Sequence, residues 1–218
     1  MYRKSTKLLN ELESAEYFDE SQMKALHGLA FSKNRETRAR AAALLGRQYD
    51  NRSEEILCRL TYDRDEIVRL EAVDSLSIGK TEASLQRLER LSESSDFYIR
   101  YFAVQSHFDV YVNIWSCDDA ANYLPRIKKQ MEEEESLLVK LALYKIACLC
   151  GECGAFDKIV DILTHAMQGC NYSLISPALH MLDEIMEEPS HELGEAIRPF
   201  LSALNECQYE LTVSMIDD

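Results

Sequence analysis

Glycine, proline and basic residues are scarce in this sequence, and each shortage excludes a class of protein. The 218 residues include only seven Gly and four Pro, too few for a turn-rich β-sandwich or barrel and for a flexible linker. Lys and Arg number 24 against 38 Asp and Glu, a net charge of −14. The chain therefore lacks the cationic surplus that binding to a nucleic-acid backbone requires. A hydrophobic fraction of 46% still suffices for a sizeable core.

Long apolar runs are missing too. No window approaches the roughly 18 uninterrupted apolar residues of a transmembrane helix, and the charged start of the chain lacks the apolar core of a signal peptide. The seven cysteines are then expected in a reducing compartment, most of them as small buried side chains. We therefore predict a cytoplasmic protein that contacts neither membrane nor nucleic acid.

The charge that is present is unevenly placed. Residues 1–109 carry 17 basic and 19 acidic side chains, a net charge of −2, whereas residues 110–218 carry 7 and 19, a net charge of −12. Such polarity favours a protein partner that is basic. A surface that is acidic only for solubility is the alternative.

Three segments of the first half repeat with a period of 31 residues. The repeated unit is an arginine followed three residues later by alanine and then by a second apolar residue, and a polar turn precedes each copy. The arginines are Arg38, Arg69 and Arg100. Apolar residues at every fourth position, such as Val68, Ala72 and Leu76, form one helical face. Amphipathic segments lie between the copies, so each unit is predicted to be two helices joined by tight turns.

This pattern resembles the HEAT-like repeat family in its short, PBS-lyase-type form, most clearly at Asp65–Ala72. The resemblance implies an all-α fold, a right-handed α-α superhelix (an armadillo-like α-solenoid) of about five helical pairs with capping helices. We predict one domain over residues 1–218. It comprises an N-terminal cap and first helix at 1–32, clear repeats at 33–109, and divergent repeats with a C-terminal cap at 110–218.

The resemblance also implies roles for the repeated residues. In the family, the helix that carries the arginine lines the concave side, and the arginine commonly pairs with a turn acid of an adjacent repeat. The structural repeat positions are therefore Arg38, Arg69, Arg100, Asp65 and Asp96. Glu36 is a weaker substitute for the acid that precedes Arg38.

Beyond residue 110 the pattern weakens, but helices remain predictable. A helix over 120–135 should begin or kink at Pro125, and a second should run from Ser136 to Ala147. Further helices are expected from Phe156 and over 174–186, with Pro177 in a first turn. A last helix is predicted over 191–206 and a capping helix over 5–16.

Aromatic residues cluster between Phe97 and Tyr123. Tyr101 and Phe102 occupy columns that follow the repeated arginine, so we expect both rings to be exposed in the groove, where Tyr, Trp and Arg dominate binding energies. Trp115 belongs to the same candidate partner-binding set. The alternative is that the cluster fills the gap made by about nine inserted residues.

Four consecutive acids follow the cluster, and they complete the candidate partner-binding set: Glu132, Glu133, Glu134 and Glu135. They are placed to receive a basic partner. Alternatively, part of the run only stabilises the positive N-terminal end of the next helix.

A single Cys-x-x-Cys at Cys150 and Cys153, next to Cys148, is a weak signal for metal binding. Cys170 or His165 would be the further ligands. The alternative is a packed helix end followed by a glycine turn. We therefore expect no metal, no cofactor and no catalytic residue.

These observations favour a non-enzymatic protein–protein interaction module, a scaffold that uses its concave groove and its acidic C-terminal half. A sharper form is an immunity-type inhibitor of a basic toxin such as a nuclease. A metal- or cofactor-dependent enzyme centred on the Cys-x-x-Cys is the alternative from a different class.

Overall fold

A computed structural model describes residues 2–152 and 154–185, and these residues form helices and turns without a strand. The chain divides into two compact units. Unit 1 ends at Ala120 and unit 2 begins at Ala121. Each unit is described by itself below.

Unit 1 contains a single N-terminal helix followed by three helical pairs. Its helices are α1 (Tyr2–Glu13), α2 (Glu20–Leu29), α3 (Arg35–Leu45), α4 (Asn51–Leu60), α5 (Glu66–Ser75), α6 (Glu82–Leu91) and α7 (Phe97–Trp115). A short 3₁₀ segment follows α5 at Leu76–Ile78, and another follows α7 at Cys117–Tyr123 and extends into the first residues of unit 2.

Short polar side chains begin these helices. In each case the side-chain oxygen accepts a hydrogen bond from a backbone N–H two or three residues later, which satisfies a group that the helix itself leaves unpaired. The capping residues are Asp19, Asn34, Asp50, Asp65, Thr81 and Asp96. At the start of α2, Gln22 also accepts from the backbone N–H of Asp19, which completes a capping box.

The three pairs stack as two layers. Helices α3, α5 and α7 contact one another in order and form the second-helix layer, with α1 packed on α3. Helices α2, α4 and α6 form the first-helix layer. The period of 31 reappears in the core: Leu26, Leu57 and Leu88 are each fully buried. The face predicted from Val68, Ala72 and Leu76 is also fully buried.

Helices α3 and α5 approach closely at one small residue. A Cβ atom added to Gly46 would lie 2.7 Å from the Cβ of Ser75 and 3.0 Å from its Cα. Real Cβ contacts are longer than this, so glycine is needed here for space. Its φ of −71° is available to any residue.

A buried carboxylate holds the loop between the second and third pairs. Glu54 on α4 is 3% exposed, and its Oε1 accepts hydrogen bonds from the Thr81 backbone N–H at 3.0 Å and the Lys80 N–H at 3.2 Å. The hydroxyls of Thr81 and Ser84 donate to the same oxygen. The carboxylate thereby ties α4 to the start of α6.

Unit 2 contains two further pairs: α8 (Leu124–Glu133) with α9 (Leu137–Leu149), and α10 (Ala155–Gln168) with α11 (Tyr172–Ile185). Pro125 lies in the first turn of α8, as predicted. The prediction for Pro177 is wrong, because α11 begins earlier and the proline lies inside the helix. There its ring removes the backbone donor that would pair with the carbonyl of Ser173.

These helices confirm the predicted all-α fold of about five pairs preceded by a capping helix. The predicted helix over 191–206 lies outside the described residues. The assignment of residues 1–218 to one domain stays a prediction.

Candidate partner-binding surface

The repeated arginines close the turns of their own repeats. Nη1 of Arg38 donates to the carbonyl of Ser32 at 2.9 Å, Arg69 to that of Asp63 at 3.0 Å, and Arg100 to that of Ser94 at 2.8 Å. The acceptor is the sixth residue before the arginine each time. We call this contact the turn clasp, and it gives the three arginines a structural role.

One clasp also links two repeats. Arg38 donates through Nε and Nη2 to both oxygens of Asp63, at 2.8 and 2.7 Å, and the two side chains are only 7% and 11% exposed. Burial by itself would raise the pKa of Asp63, but the hydrogen bonds from Arg38 and from the Asp65 backbone N–H, together with the positive charges of Arg38 and Arg64, lower that pKa overall. The hydrogen bonds to Asp63 raise the pKa of Arg38. The pair fixes the stacking of α3 on the next repeat.

The acids expected to pair with the arginines have a different task. Asp65 and Asp96 cap α5 and α7, and Asp65 also accepts a hydrogen bond from the exposed Arg35 at 3.3 Å. The acid that pairs with Arg38 is Asp63, two residues earlier than expected. The reason is geometric, because a residue at the N-cap turns its carboxylate toward the helix backbone.

A groove of about 650 Å³ crosses the second-helix layer at α1, α3 and α5. Its floor contains the small, exposed Ala43 together with the buried Ala39 and Leu44. Ile67, which is 53% exposed, forms one wall. We call this the α3–α5 groove. It joins apolar floor and wall to a charged rim, a combination typical of protein-binding sites.

Arg40 of α3 and Arg47, two residues after α3 ends, fix the rim of the groove to the end of α1. Arg40 Nε lies 2.8 Å from Glu13 Oε1, and its hydrogen bond is the largest cause of the lowered pKa of Glu13. Arg47 donates to the carbonyls of Glu13 and Ala15 at 3.1 and 2.7 Å. The rim is therefore ordered before any partner arrives.

The α5 side of the groove also carries a carboxyl group, Glu71, in a different electrostatic setting. Burial, and then the negative charge of Asp74, raise the pKa of Glu71. Glu71 follows Arg69 by two residues, in the column that Arg40 and Phe102 occupy in the neighbouring repeats. A cationic side chain of a partner would relieve this unfavourable environment.

A comparison with the sequence models of protein families agrees with the repeat, the turn clasps and the two stacked layers. Residues 23–106 match the sequence model of HEAT repeats. This segment consists of HEAT repeats. It begins within α2 and ends within α7, so it includes α3 to α6 and part of each flanking helix, and it confirms the predicted resemblance. HEAT repeats commonly serve as scaffolds that bind proteins. A search of curated proteins finds no match to the chain.

The aromatic residues expected in the groove lie beyond it, on the last HEAT helix. Tyr101 and Phe102 pack edge to face, 5.0 Å between ring centroids, and both are half-buried. The expectation of exposed rings is therefore wrong for both residues, and Phe102 packs against the core of unit 1. Trp115, 44% exposed, stacks on Tyr111 at the end of α7.

Sequence reasoning missed the exposed residues at the starts of the HEAT helices. Ile67 and Tyr98 are 53% and 45% exposed and occupy equivalent positions, two residues before Arg69 and Arg100. Phe97 is 41% exposed and packs on Tyr98. The 31-residue alignment contained this signal, since it places Ile67 and Tyr98 in one column.

The acid run of unit 2 has a mixed role. Glu134 is only 9% exposed, and its Oε1 accepts hydrogen bonds from the backbone N–H groups of Glu135 and Ser136 at 3.1 and 2.8 Å. It therefore closes the turn that leads into α9. Glu132, Glu133 and Glu135 are exposed and remain the candidates for binding.

The cysteines near the end of α9 have the properties of packed side chains. Burial raises the pKa of Cys148 and of Cys150 to about 11 in each case. The thiolate is the form that binds metal or attacks a substrate, so burial disfavours both roles. Cys153 lies outside the described residues. His165 and Cys170 are exposed.

A serine, a histidine and an aspartate meet where α2 packs on α4, but their geometry is structural. His27 Nε2 lies 3.1 Å from Ser53 Oγ and 3.3 Å from Asp50 Oδ2. In a catalytic triad the acid and the nucleophile occupy opposite ring nitrogens, whereas here both approach the same one. Ser53 is fully buried and Asp50 caps α4.

Proposed function

We propose that this protein is a non-enzymatic, cytoplasmic protein-binding module whose α3–α5 groove is the concave surface that receives a partner. The exposed Ile67 beside the small Ala43 is the observation that carries the proposal. An accessible apolar wall and an open floor accommodate an apolar partner side chain. Within the described ranges, no helix has both the length and the apolar character needed to cross a bilayer.

Polar groups of the groove would orient the partner. Arg40 and Arg47 are held by α1, so they contribute a rigid rim. Glu71, with its raised pKa, favours a Lys or Arg side chain at the α5 end. The proposed ligand is therefore a protein segment with an apolar anchor and a neighbouring basic residue.

The test is affinity capture from the native cell with groove variants. Ala43→Arg fills the groove from an exposed position, and Ala83→Arg adds the same side chain at an exposed position of α6, in the other layer. Mass spectrometry should find a partner with the wild type and with Ala83→Arg but not with Ala43→Arg. With the purified partner, Ala43→Arg should weaken binding at least tenfold.

Circular dichroism must show that both variants remain folded. The proposal fails if Ala43→Arg retains the partner at wild-type affinity. It also fails if no protein is recovered at a stoichiometric level with the wild type.

The exposed acids of unit 2 support a second candidate, inhibition of a basic toxin such as a nuclease. Glu132, Glu133 and Glu135 would mimic phosphate and accelerate the encounter with a cationic active site. Binding should then weaken strongly as salt rises and on replacing all three by Gln, with Glu134 left intact. Affinity that is insensitive to salt would reject this candidate and leave the groove proposal standing.

A further inference from the structure

A second surface, separate from the groove, is formed by the turns inside the first two HEAT repeats. Phe31 lies just after α2, in the turn of the first repeat. Tyr62 lies 31 residues later, just after α4, in the turn of the second repeat. Their side chains are 46% and 66% exposed. The third repeat has Glu93 at this position. A cleft of about 410 Å³ lies among these turns.

An arginine side chain lies over each of the two rings. The guanidinium carbon of Arg59 lies 4.8 Å from the ring centroid of Phe31, and that of Arg87 lies 3.5 Å from the centroid of Tyr62. Lys33 and Arg64, also 31 residues apart, line the cleft and are exposed. We call Phe31, Tyr62 and these four cations the turn ledge.

The arginine stacked on Tyr62 is held in place by the protein. Nε of Arg87 donates to Thr61 Oγ1 at 2.7 Å, which fixes its plane over Tyr62. A guanidinium that lies on a ring keeps the N–H groups at its edge available for a carboxylate, and stacking reduces the entropy lost on binding. Nη2 of Arg87 also donates to the Thr61 carbonyl at 3.3 Å, so Arg87 holds its place over Tyr62, while the edge of Arg59 is the one that would face a carboxylate of a ligand.

The positive charge of the ledge is not neutralised locally. Asp63 is the carboxylate that lines the cleft, and both of its oxygens are engaged by Arg38. In the part of the chain that the structure describes, no carboxylate lies within 4 Å of the cationic atoms of Lys33, Arg59 or Arg64. Lys33, Arg59 and Arg64 are exposed cations, so the ledge attracts anions.

We propose that the turn ledge binds an extended acidic segment of a partner protein. Its carboxylates would pair with Arg59, Arg64 and Lys33, and an apolar side chain between them would pack on the ring of Tyr62. A nucleic-acid backbone and a second copy of the chain are the other occupants that could bring negative charge to the ledge, and the experiment below tests both.

The probe is a fluorescein-labelled twelve-residue peptide of alternating Glu and Leu, titrated with the full chain and followed by anisotropy. Arg59→Glu/Arg64→Glu should weaken its binding at least tenfold. The matched control is Lys24→Glu/Arg52→Glu, which makes the same charge change at exposed positions toward the other ends of α2 and α4. The control should bind within about twofold of the wild type. Tyr62→Ala should weaken binding three- to tenfold.

Four outcomes would overturn the proposal. The first is a ledge variant that binds as well as the control pair, and the second is no saturable binding by the wild type up to about 1 mM peptide. The third is a labelled twelve-nucleotide oligothymidylate that binds more tightly and is lost in the same variant. The fourth is self-association, seen by sedimentation velocity, that the same variant abolishes. Ala43→Arg should leave peptide binding unchanged, which separates this surface from the groove.

Discussion

At the scale of single residues, the pair of Arg38 and Asp63 combines nearly complete burial with two charge-assisted hydrogen bonds. Removing one member of such a pair leaves the other charge buried without compensation, which costs about 3 kcal/mol. Asp63→Asn should therefore lower the free energy of unfolding at pH 7 by about that amount. Urea denaturation followed by circular dichroism measures the change.

The effect should depend on pH in one direction. Because the pKa of Asp63 is lowered in the folded protein, its contribution is complete above its unfolded-state pKa of roughly 3.9. The contribution is lost as the pH falls through the folded value. The difference between wild type and Asp63→Asn should be constant from pH 7 to about pH 5 and shrink below about pH 4. Arg35→Gln, which removes an exposed ion pair, should change stability by less than about 0.5 kcal/mol.

The acid run can be divided residue by residue. Glu134→Ala removes the acceptor for two backbone N–H groups at the start of α9, so it should destabilise the protein by about 1 kcal/mol. Glu133→Ala, at an exposed neighbouring position, should stay within about 0.5 kcal/mol of the wild type. Thermal melts of the two variants give the comparison, and equal melting temperatures would contradict the closing role of Glu134.

At the scale of helices, the contact of α3 with α5 depends on the missing side chain of Gly46. Gly46→Ala should destabilise by about 1–3 kcal/mol, because the added methyl group collides with Ser75. Gly28→Ala is the matched change, since Gly28 lies inside α2 with no atom within 4 Å of an added Cβ. It should stabilise by roughly 0.5–1 kcal/mol. A double variant with Ser75→Gly should recover part of the loss at Gly46, as urea denaturation can test.

Most helices could be predicted because their signals are local in the sequence. The repeated Arg-x-x-Ala, the apolar spacing and the polar turns place α3, α5 and α7. Pro177 was wrongly predicted to lie in a first turn. A proline can occupy the first turn of a helix, but it can also lie in the interior where the loss of one backbone hydrogen bond is tolerated. The sequence alone does not decide between these.

The sites were harder to predict than the helices. Exposure of Phe102 depends on how far the core of unit 1 extends toward α7, which no short motif encodes. The groove depends on side chains from α1, α3 and α5 that are distant in sequence. The turn ledge follows the 31-residue period, but its aromatic column contains Phe31, Tyr62 and then Glu93, so the signal covers only two repeats.

At the scale of the whole molecule, unit 1 has its own layers and its own core. We therefore expect residues 1–120, expressed alone, to be helical and to unfold cooperatively in urea. A shorter fragment ending at Gly79 lacks the third pair and should unfold with a smaller denaturant dependence, because less surface is buried. A longer fragment without a sigmoidal transition would contradict the independence of unit 1.

The turn ledge of unit 1 and the acid run of unit 2 have opposite charge and so favour different partners. The turn ledge in unit 1 favours an acidic segment, whereas the exposed glutamates of unit 2 favour a basic surface. Salt should weaken both interactions, and charge reversal in one unit should leave the other unaffected. A scaffold with two surfaces of such different charge would bind two dissimilar proteins at once.

The turn clasp has a consequence for how such a chain lengthens. Each arginine donates to a backbone carbonyl of its own repeat. The turn clasp therefore needs no particular side chain at the acceptor position, which Ser32, Asp63 and Ser94 occupy in the three repeats. A duplicated segment of 31 residues would contain its own turn clasp and would stack in register with the neighbouring repeats. Gene duplication can therefore add or remove whole repeats, while the acceptor side chain stays free to evolve a bond to the neighbouring repeat, as Asp63 has done.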